Sequence, residues 1–255
     1  MLDAARLNGA LASRPGLWRE VRVVEETGST NADLLAQARS GADEGLVLVA
    51  EAQTSGRGRM GRRWISPPRC ALTFSVLLRP AVPAGLLGWV PLLAGVAVAS
   101  VLQRTAGVDA RLKWPNDVLV DGGKIAGILL ESAVGQAGQV DHVVAGIGLN
   151  VGFAPQLPEM RYPGSALGGS VEAALERLTA ALAARLVQWR RDGFETVRAA
   201  WLGKAGPIGA EVDVRLGDEL VRGRFAGLDR QGALLLDTAA GPRKIVSGEL
   251  LGRAA

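Results

Sequence analysis

Three segments of the 255-residue chain gather side chains able to grip a charged small molecule. The first runs Gln53-Thr54-Ser55-Gly56-Arg57-Gly58-Arg59-Met60-Gly61-Arg62-Arg63-Trp64. Its glycines expose backbone amides and its arginines offer guanidinium forks, so together they could hold several phosphate or carboxylate oxygens. Gly56, Gly58 and Gly61 satisfy G-x-G-x-x-G, yet Arg62-Arg63-Trp64-Ile65-Ser66-Pro67-Pro68 cannot open the helix a dinucleotide site requires. What remains is an anion-gripping loop or a solvated basic one, and its glycines and mutually repelling arginines predict disorder until an anion arrives.

The second segment is Lys113-Trp114-Pro115-Asn116-Asp117, followed after Asp121-Gly122-Gly123 by Lys124-Ile125-Ala126-Gly127-Ile128-Leu129. A lysine on an otherwise apolar strand must find an anionic partner or lose its proton, unless it merely solubilises a sheet edge. Gly123-Lys124 is followed by Ile125 and lacks the upstream glycines of a Walker sequence. The third segment, Ala145-Gly146-Ile147-Gly148-Leu149-Asn150-Val151, has alternate glycines that would let a flat ligand lie on the backbone. Asn150 offers both a donor and an acceptor to an adenine edge, although a β-bulge would explain the same glycines.

The rest of the composition narrows the chemistry. One histidine, His142, and one cysteine, Cys70, exclude histidine triads, multi-histidine or multi-thiolate metal sites and an internal disulfide. Cys70 reads as a small buried hydrophobe and His142 as a strand-edge residue. Any catalysis must run on lysine, arginine, carboxylates, backbone amides and a loosely held ion. A net charge of +4 and a pI near 9.8 favour anionic partners: nucleic acid, a phosphate cofactor or an acidic protein. Met1-Leu2-Asp3-Ala4-Ala5-Arg6 has no basic start and apolar run, which predicts a cytoplasmic protein. Ala84 to Gln103 carries no charge over about the length of a membrane span, but Gly85, Gly88 and Pro91 crowd its first third. Pro91 therefore reads as the first turn of a buried helix reaching Thr105, and no membrane partner is expected.

Periodicity predicts the elements that position these segments. Helices are expected over Leu2–Leu11, Ala32–Arg39 and Val171–Arg190, the second started by the capping cluster Gly28-Ser29-Thr30-Asn31. Strands are expected at Val21–Val24, Leu46–Ala50, Leu72–Leu78, Arg111–Trp114, Val118–Val120, Lys124–Glu131 and Val143–Ile147. From Pro207 the pattern changes to short strands, Glu211–Leu216, Leu220–Leu228, Ala233–Asp237 and Arg243–Val246, a spacing that suggests a small barrel. The fold class is α+β, a mixed-sheet catalytic domain over 1–206 with a C-terminal β-barrel over 207–255.

In order and spacing, Gly28-Ser29-Thr30-Asn31, the Gly56-Arg57-Gly58-Arg59 loop, Lys113-Trp114-Pro115-Asn116-Asp117, Lys124-Ile125-Ala126-Gly127-Ile128-Leu129 and Gly146-Ile147-Gly148-Leu149-Asn150 resemble the biotin protein ligases. Asp229-Arg230-Gln231-Gly232-Ala233-Leu234 is similar to that family's SH3-like C-terminal domain. The resemblance implies a mixed sheet of the biotin/lipoate ligase type, activation of biotin with ATP to biotinyl-AMP, and transfer to a lysine of a biotin carboxyl carrier protein or domain of acetyl-CoA or pyruvate carboxylase.

Residue by residue, it implies a biotin site at Ser29, Thr30, Asn31, Gln53, Gly56, Gly58, Gly127 and Gly146. Backbone amides from Arg57 to Arg59 would hold the biotin carboxylate, and Lys124 would lie between carboxylate and α-phosphate. Arg57, Arg59, Lys124 and Asp117 make up the catalytic set, and Asp117 would place Mg2+ or orient the acceptor lysine. Arg59, Arg62, Trp64, Lys113, Asn116 and Asn150 would bind the nucleotide. Around Phe225-Ala226-Gly227, where some relatives carry an arginine, the match is looser. Many bacterial members add an N-terminal winged helix; only 28 residues precede Ser29, so DNA binding is not expected, while a homodimer is left open. The rival readings are a lipoate ligase-like acyl ligase of the same fold and a basic nucleic-acid-binding module.

Overall fold

The computed structural model describes residues 2–12, 17–135, 138–156 and 163–252. Seven strands form the larger sheet: β1 (Glu20–Thr27), β2 (Leu46–Gln53), β3 (Ala71–Leu78), β4 (Arg111–Lys113), β5 (Asp117–Val120), β6 (Gly123–Val134) and β7 (Val140–Asn150). Their spatial order is β1-β2-β3-β7-β6-β5-β4, with β1 and β2 parallel and every other pair antiparallel, which makes the sheet mixed as expected.

The continuous apolar runs in β2 and β3 arise because both sheet faces are covered. Leu46 and Leu48 point to α2 (Thr30–Arg39), where they meet Leu34, Ala38, Leu77 and Val144. Val47 and Val49 point the other way, into the main core with Phe74, Val76 and α3 (Trp89–Ala106). Ala84–Ala106 is long and apolar enough to cross a membrane, yet 72% of its most apolar stretch is buried inside the protein. It packs against α4 (Val171–Asp192) and α5 (Phe194–Leu202) as well as the sheet. Trp89 of α3 stacks on Trp189 of α4 with ring centroids 3.8 Å apart, a pairing worth about 1 kcal/mol beyond its buried area. Pro91 lies in the first turn of α3, where its missing N–H costs no helical bond. The remaining helix, α1 (Ala4–Ala12), packs on β1.

Five antiparallel strands form the second sheet: β8 (Glu211–Leu216), β9 (Glu219–Leu228), β10 (Leu234–Thr238), β11 (Gly241–Ile245) and β12 (Glu249–Gly252), in the order β11-β10-β9-β8-β12. It docks beside the larger sheet through the Gln231–Gly232 turn. Trp114 Nε1 donates to Gly232 O at 3.1 Å, and a Cβ on Gly88 would lie 2.5 Å from Gln231 O. Both Gly88 and Gly232 must be bare for this approach. Arg198 of α5 donates to Leu228 O at 2.7 Å and Trp201 meets Phe225 edge-on, so α5 is the strut between the sheets. Neither α5 nor β12 is among the elements expected from periodicity. Cys70 is half-buried just before β3, not a core residue, while His142 is buried within β7 and bonds Asp141 at 2.6 Å.

Candidate active site

The N-terminus of α2, the arginine loop, the Trp114–Pro115 turn and the ends of β6 and β7 surround a cleft of roughly 400 Å3. Of the residues singled out from sequence, Ser29, Thr30, Asn31, Gln53, Arg57, Gly58, Arg59, Arg62, Trp64, Lys113, Asn116, Asp117, Lys124, Gly127, Gly146 and Asn150 all line it. Gly56 does not. It is confined because a Cβ there would lie 2.4 Å from Trp64 O, so its role is to close the loop. Among the described residues, six cationic side chains and two carboxylates line the cleft, which suits a ligand carrying several negative charges.

Lys124 owes its direction to the strand register. Asp121 and Gly122 both have positive φ, as a two-residue hairpin turn requires. The β5–β6 ladder then skips one residue, so that Lys124 instead of Ile125 stands opposite Leu119. That bulge moves Lys124 onto the face bearing Asp117, whose Oδ1 is 2.6 Å from its Nζ. Gly127 leaves room for the lysine stem: a Cβ there would lie 3.2 Å from Lys124 Nζ. Buried Lys113 approaches the other oxygen of Asp117 at 3.5 Å. A carboxylate held by two ammonium groups, and belonging to no cluster of three possible metal ligands among the described residues, is a poor magnesium ligand. The residues here do not fit a protein-held ion.

The arginine loop folds as a compact hairpin. Gly58 N–H donates to Arg62 O at 2.7 Å and Trp64 N–H to Gly56 O at 2.9 Å, while Met60 and Gly61 turn through positive φ. The Gly58 amide is thus committed within the loop and does not face a ligand carboxylate. Mutual repulsion is relieved by protein acceptors. Arg57 donates to Glu131 at 2.8 Å and Arg62 to Glu249 at 2.9 Å. Arg59 reaches Gly248 O at 3.3 Å and Asn116 Oδ1 at 3.4 Å, latching the loop to the smaller sheet. Burial pulls the Arg59 guanidinium below the usual arginine range; Asp117 and Glu249 oppose this by attraction, and Arg62 adds to it.

The glycines of β7 serve a different purpose from the one their spacing suggests. The flat group on Gly148 is the chain's own Trp64, within 2.4 Å of where a Cβ would be. Gly146 lines the cleft, yet its bare α-carbon is covered by Asn31, whose Oδ1 would be 2.2 Å from a Cβ. Asn150 keeps only half of its expected capacity. Its Nδ2 donates to Lys124 O at 3.2 Å and Ser165 O at 3.0 Å, leaving Oδ1 buried without a hydrogen-bond partner, and the indole N–H of Trp64, another residue of the cleft lining, is also buried and unpartnered. Each carries a desolvation cost that a polar partner would remove. Asn116 spends both ends of its amide, on Ile128 O at 2.8 Å and on Arg59.

At the other end of the cleft the lining side chains of Ser29, Thr30, Asn31 and Gln53 are neutral. Gln53 Oε1 accepts from Thr30 N–H at 2.9 Å and so caps α2 from the neighbouring strand, while Ser29, the N-cap residue, makes no side-chain cap bond. Ser75 and Glu131 were invisible to motif reading and join this end from beneath. Ser75 bonds Thr30 and Asn31, and Glu131 accepts from Asn31 as well as from Arg57. The one sequence signal for Ser75 is a polar residue inside the apolar run Ala71–Leu78, which must find a partner when buried.

Residues 23–150 match the Biotin/lipoate A/B protein ligase family, and residues 208–250 match the Biotin protein ligase C terminal domain. The chain belongs to the biotin/lipoate protein ligase family. Within this family it is 40% identical to a biotin--[acetyl-CoA-carboxylase] ligase of Mycobacterium tuberculosis, across 98% of this chain and 95% of the relative. To the enzyme of that name from Paracoccus denitrificans it is 36% identical, over 89% and 98% respectively. The biotin protein ligase from Aquifex aeolicus in complex with biotin and ATP superposes with a TM-score of 0.77 at 28% identity, covering 93% of this chain and all of that one. A biotin/lipoate ligase fold followed by a C-terminal antiparallel sheet is therefore the architecture of this chain.

Proposed function

We propose that this chain is an ATP-dependent biotin protein ligase, which joins biotin to AMP and passes the biotinyl group to a lysine of a carboxyl carrier protein. The observation that carries this reading is one cleft with a neutral hydrogen-bonding end at Ser29, Thr30 and Gln53, a cationic end at Arg59, Lys113 and Lys124, and no cysteine or histidine among the described residues that line it. A carboxylic acid is unreactive toward an amine until its oxygen attacks the α-phosphorus of ATP and pyrophosphate leaves. The acceptor amine then attacks the acyl carbon, and AMP departs. Neither step needs a covalent enzyme intermediate; both need charge stabilisation and exclusion of water.

In this assignment Ser29, Thr30 and Gln53 bind the biotin head group, with Asn31, Gly146 and Gly127 shaping that end. Arg57 and Arg59 close over the carboxylate, and Lys124 meets the negative charge that grows on the phosphate. Arg62, Lys113 and Asn116 belong to the nucleotide end. Asn150 and Trp64, which line the cleft, are assigned to the adenine of the nucleotide. Asp117, held between two lysines, positions the incoming amine, and magnesium is assigned to the nucleotide's own phosphates instead of to this carboxylate. Residues 1–206 form the catalytic domain and 207–255 the cap.

Isothermal calorimetry separates the readings. Biotin should bind with saturable heat and lipoate should not, and DNA duplexes of different sequence should give indistinguishable, salt-sensitive signals. Arg57 and Arg62 of the loop pair with Glu131 and Glu249, and Arg59 lines the cleft, so these three guanidinium groups are engaged within the protein. Tighter binding of lipoate than of biotin would move the chain to an acyl ligase of the same fold. Preference for one duplex over its scrambled counterpart at physiological salt would indicate a nucleic-acid module.

A further inference from the structure

We infer that Ser75 is a positioning residue that sets the hydrogen-bond polarity of Thr30 and thereby makes the head-group end of the cleft selective for an N–H beside a C=O. The inference rests on the assignment of Thr30 and Gln53 to the biotin head group. Ser75 is wholly buried and does not line the cleft, so its effect must pass through a neighbour. Its Oγ is 2.6 Å from Asn31 Oδ1 and 2.7 Å from Thr30 Oγ1.

The proton directions follow from the fixed ends of this chain of contacts. Asn31 Nδ2 donates to Leu129 O at 3.3 Å and to Glu131 Oε2 at 2.9 Å, which turns Oδ1 toward Ser75. An amide oxygen only accepts, so the Ser75 hydroxyl must donate to it. The Ser75 oxygen is then left to accept, and the donor facing it is the Thr30 hydroxyl. Thr30 also lies 3.2 Å from Gln53 Oε1, but the Ser75 contact is shorter, and Gln53 Oε1 already accepts from Thr30 N–H. With its single proton spent beneath the cleft, Thr30 Oγ1 meets a ligand as an acceptor. Gln53, held through Oε1, meets it with the N–H groups of Nε2. A donor beside an acceptor complements one N–H/C=O edge of a cyclic urea, such as the head group of biotin. It opposes a ligand with oxygen in place of that N–H, where two lone pairs would face each other.

Without the Ser75 hydroxyl the Thr30 proton is no longer fixed beneath the cleft: it is shared between Gln53 Oε1, 3.2 Å away, and the ligand, and Thr30 ceases to be a committed acceptor. Ser75→Ala should raise the KM for biotin about tenfold, the equivalent of one neutral hydrogen bond, while kcat for pyrophosphate release and the KM for ATP change less than about twofold. A merely structural loss would lower kcat and thermal stability without changing ligand preference. The decisive readout is the ratio of kcat/KM for biotin to that for each of its two cyclic-carbamate analogues, in which one ring N–H is replaced by oxygen. For one of the two, the parent ratio should fall at least about tenfold in Ser75→Ala. Ser75→Cys keeps the side-chain shape with a larger and weaker donor and should shift the same ratio in the same direction; it carries the comparison if the alanine variant does not fold. Unchanged ratios in a folded variant would overturn the polarity relay while leaving biotin as the substrate. A parent enzyme indifferent to biotin would overturn the head-group assignment itself, and the relay with it.

Discussion

Lys124→Ala should lower the rate of biotin-dependent pyrophosphate release by about 10²–10³-fold while raising the KM for biotin only modestly, because the charge this ammonium meets is greatest in the transition state. The structure supports a specific action for this side chain. A bulge places it on the face of Asp117, Gly127 gives its stem a bare strip of backbone, and the ion pair at 2.6 Å holds its amine over the cleft before any ligand arrives. Removing it leaves Asp117 near Lys113, so the carboxylate does not become a lone buried charge and the fold should survive. Single-turnover pyrophosphate release with the biotin affinity measured separately checks both halves. A variant that releases pyrophosphate at the parental rate would remove Lys124 from the first step.

Arg59→Gly should leave adenylate formation in place and loosen the hold on its product. Arg59 is half-withdrawn from water between the cleft, Asn116 and the backbone of Gly248, and it ties the loop to the smaller sheet. A charge-assisted contact to the intermediate is worth about 1.5–3 kcal/mol, and about 1.4 kcal/mol is tenfold in affinity. Retention of the mixed anhydride should therefore fall by roughly one to two orders of magnitude. Once free, an activated acid acylates any accessible amine, so the variant should label an unrelated protein that the parent ignores. Stopped-flow release of the adenylate, with a streptavidin blot of the bystander, measures both consequences. If neither release nor bystander labelling changes, Arg59 acts only as a strut to Gly248, and retention belongs to Arg57 or the loop backbone.

Sequence patterning was informative where one physical cause dominated. Largely apolar runs such as Val47–Val49 and Leu72–Leu78 are strands because both sheet faces are buried, α4 is long enough for its period to be legible, and α3 is marked by its uncharged length and by Pro91 in its first turn. Helix α5 escaped because it buries only Val197 and Trp201, and its contacts to Leu228 and Phe225 depend on how the second sheet docks. Strand β12 is four residues long and gains its identity from pairing with β8.

Within the site, types and spacing located the cleft lining but not who partners whom. Gly146 and Gly148 were legible as bare backbone, yet whether a ligand or Asn31 and Trp64 would cover them depends on the sheet order. The acceptors of Arg57 and Arg62 in the arginine loop were not legible because Glu131 and Glu249 are remote in sequence. Ser75 acquires its meaning only when β3 is seen to pass beneath the first turn of α2.

The most direct measurement of the central claim is an assay of the purified chain with ATP, a carboxyl carrier domain and either biotin or lipoate, following pyrophosphate release and the mass of the carrier. With biotin, pyrophosphate should appear, and the carrier should gain one biotinyl group on one lysine. With lipoate, neither should be detectable. Pyrophosphate release driven by lipoate and not by biotin, or a carrier unchanged in mass despite biotin and ATP, would contradict the account.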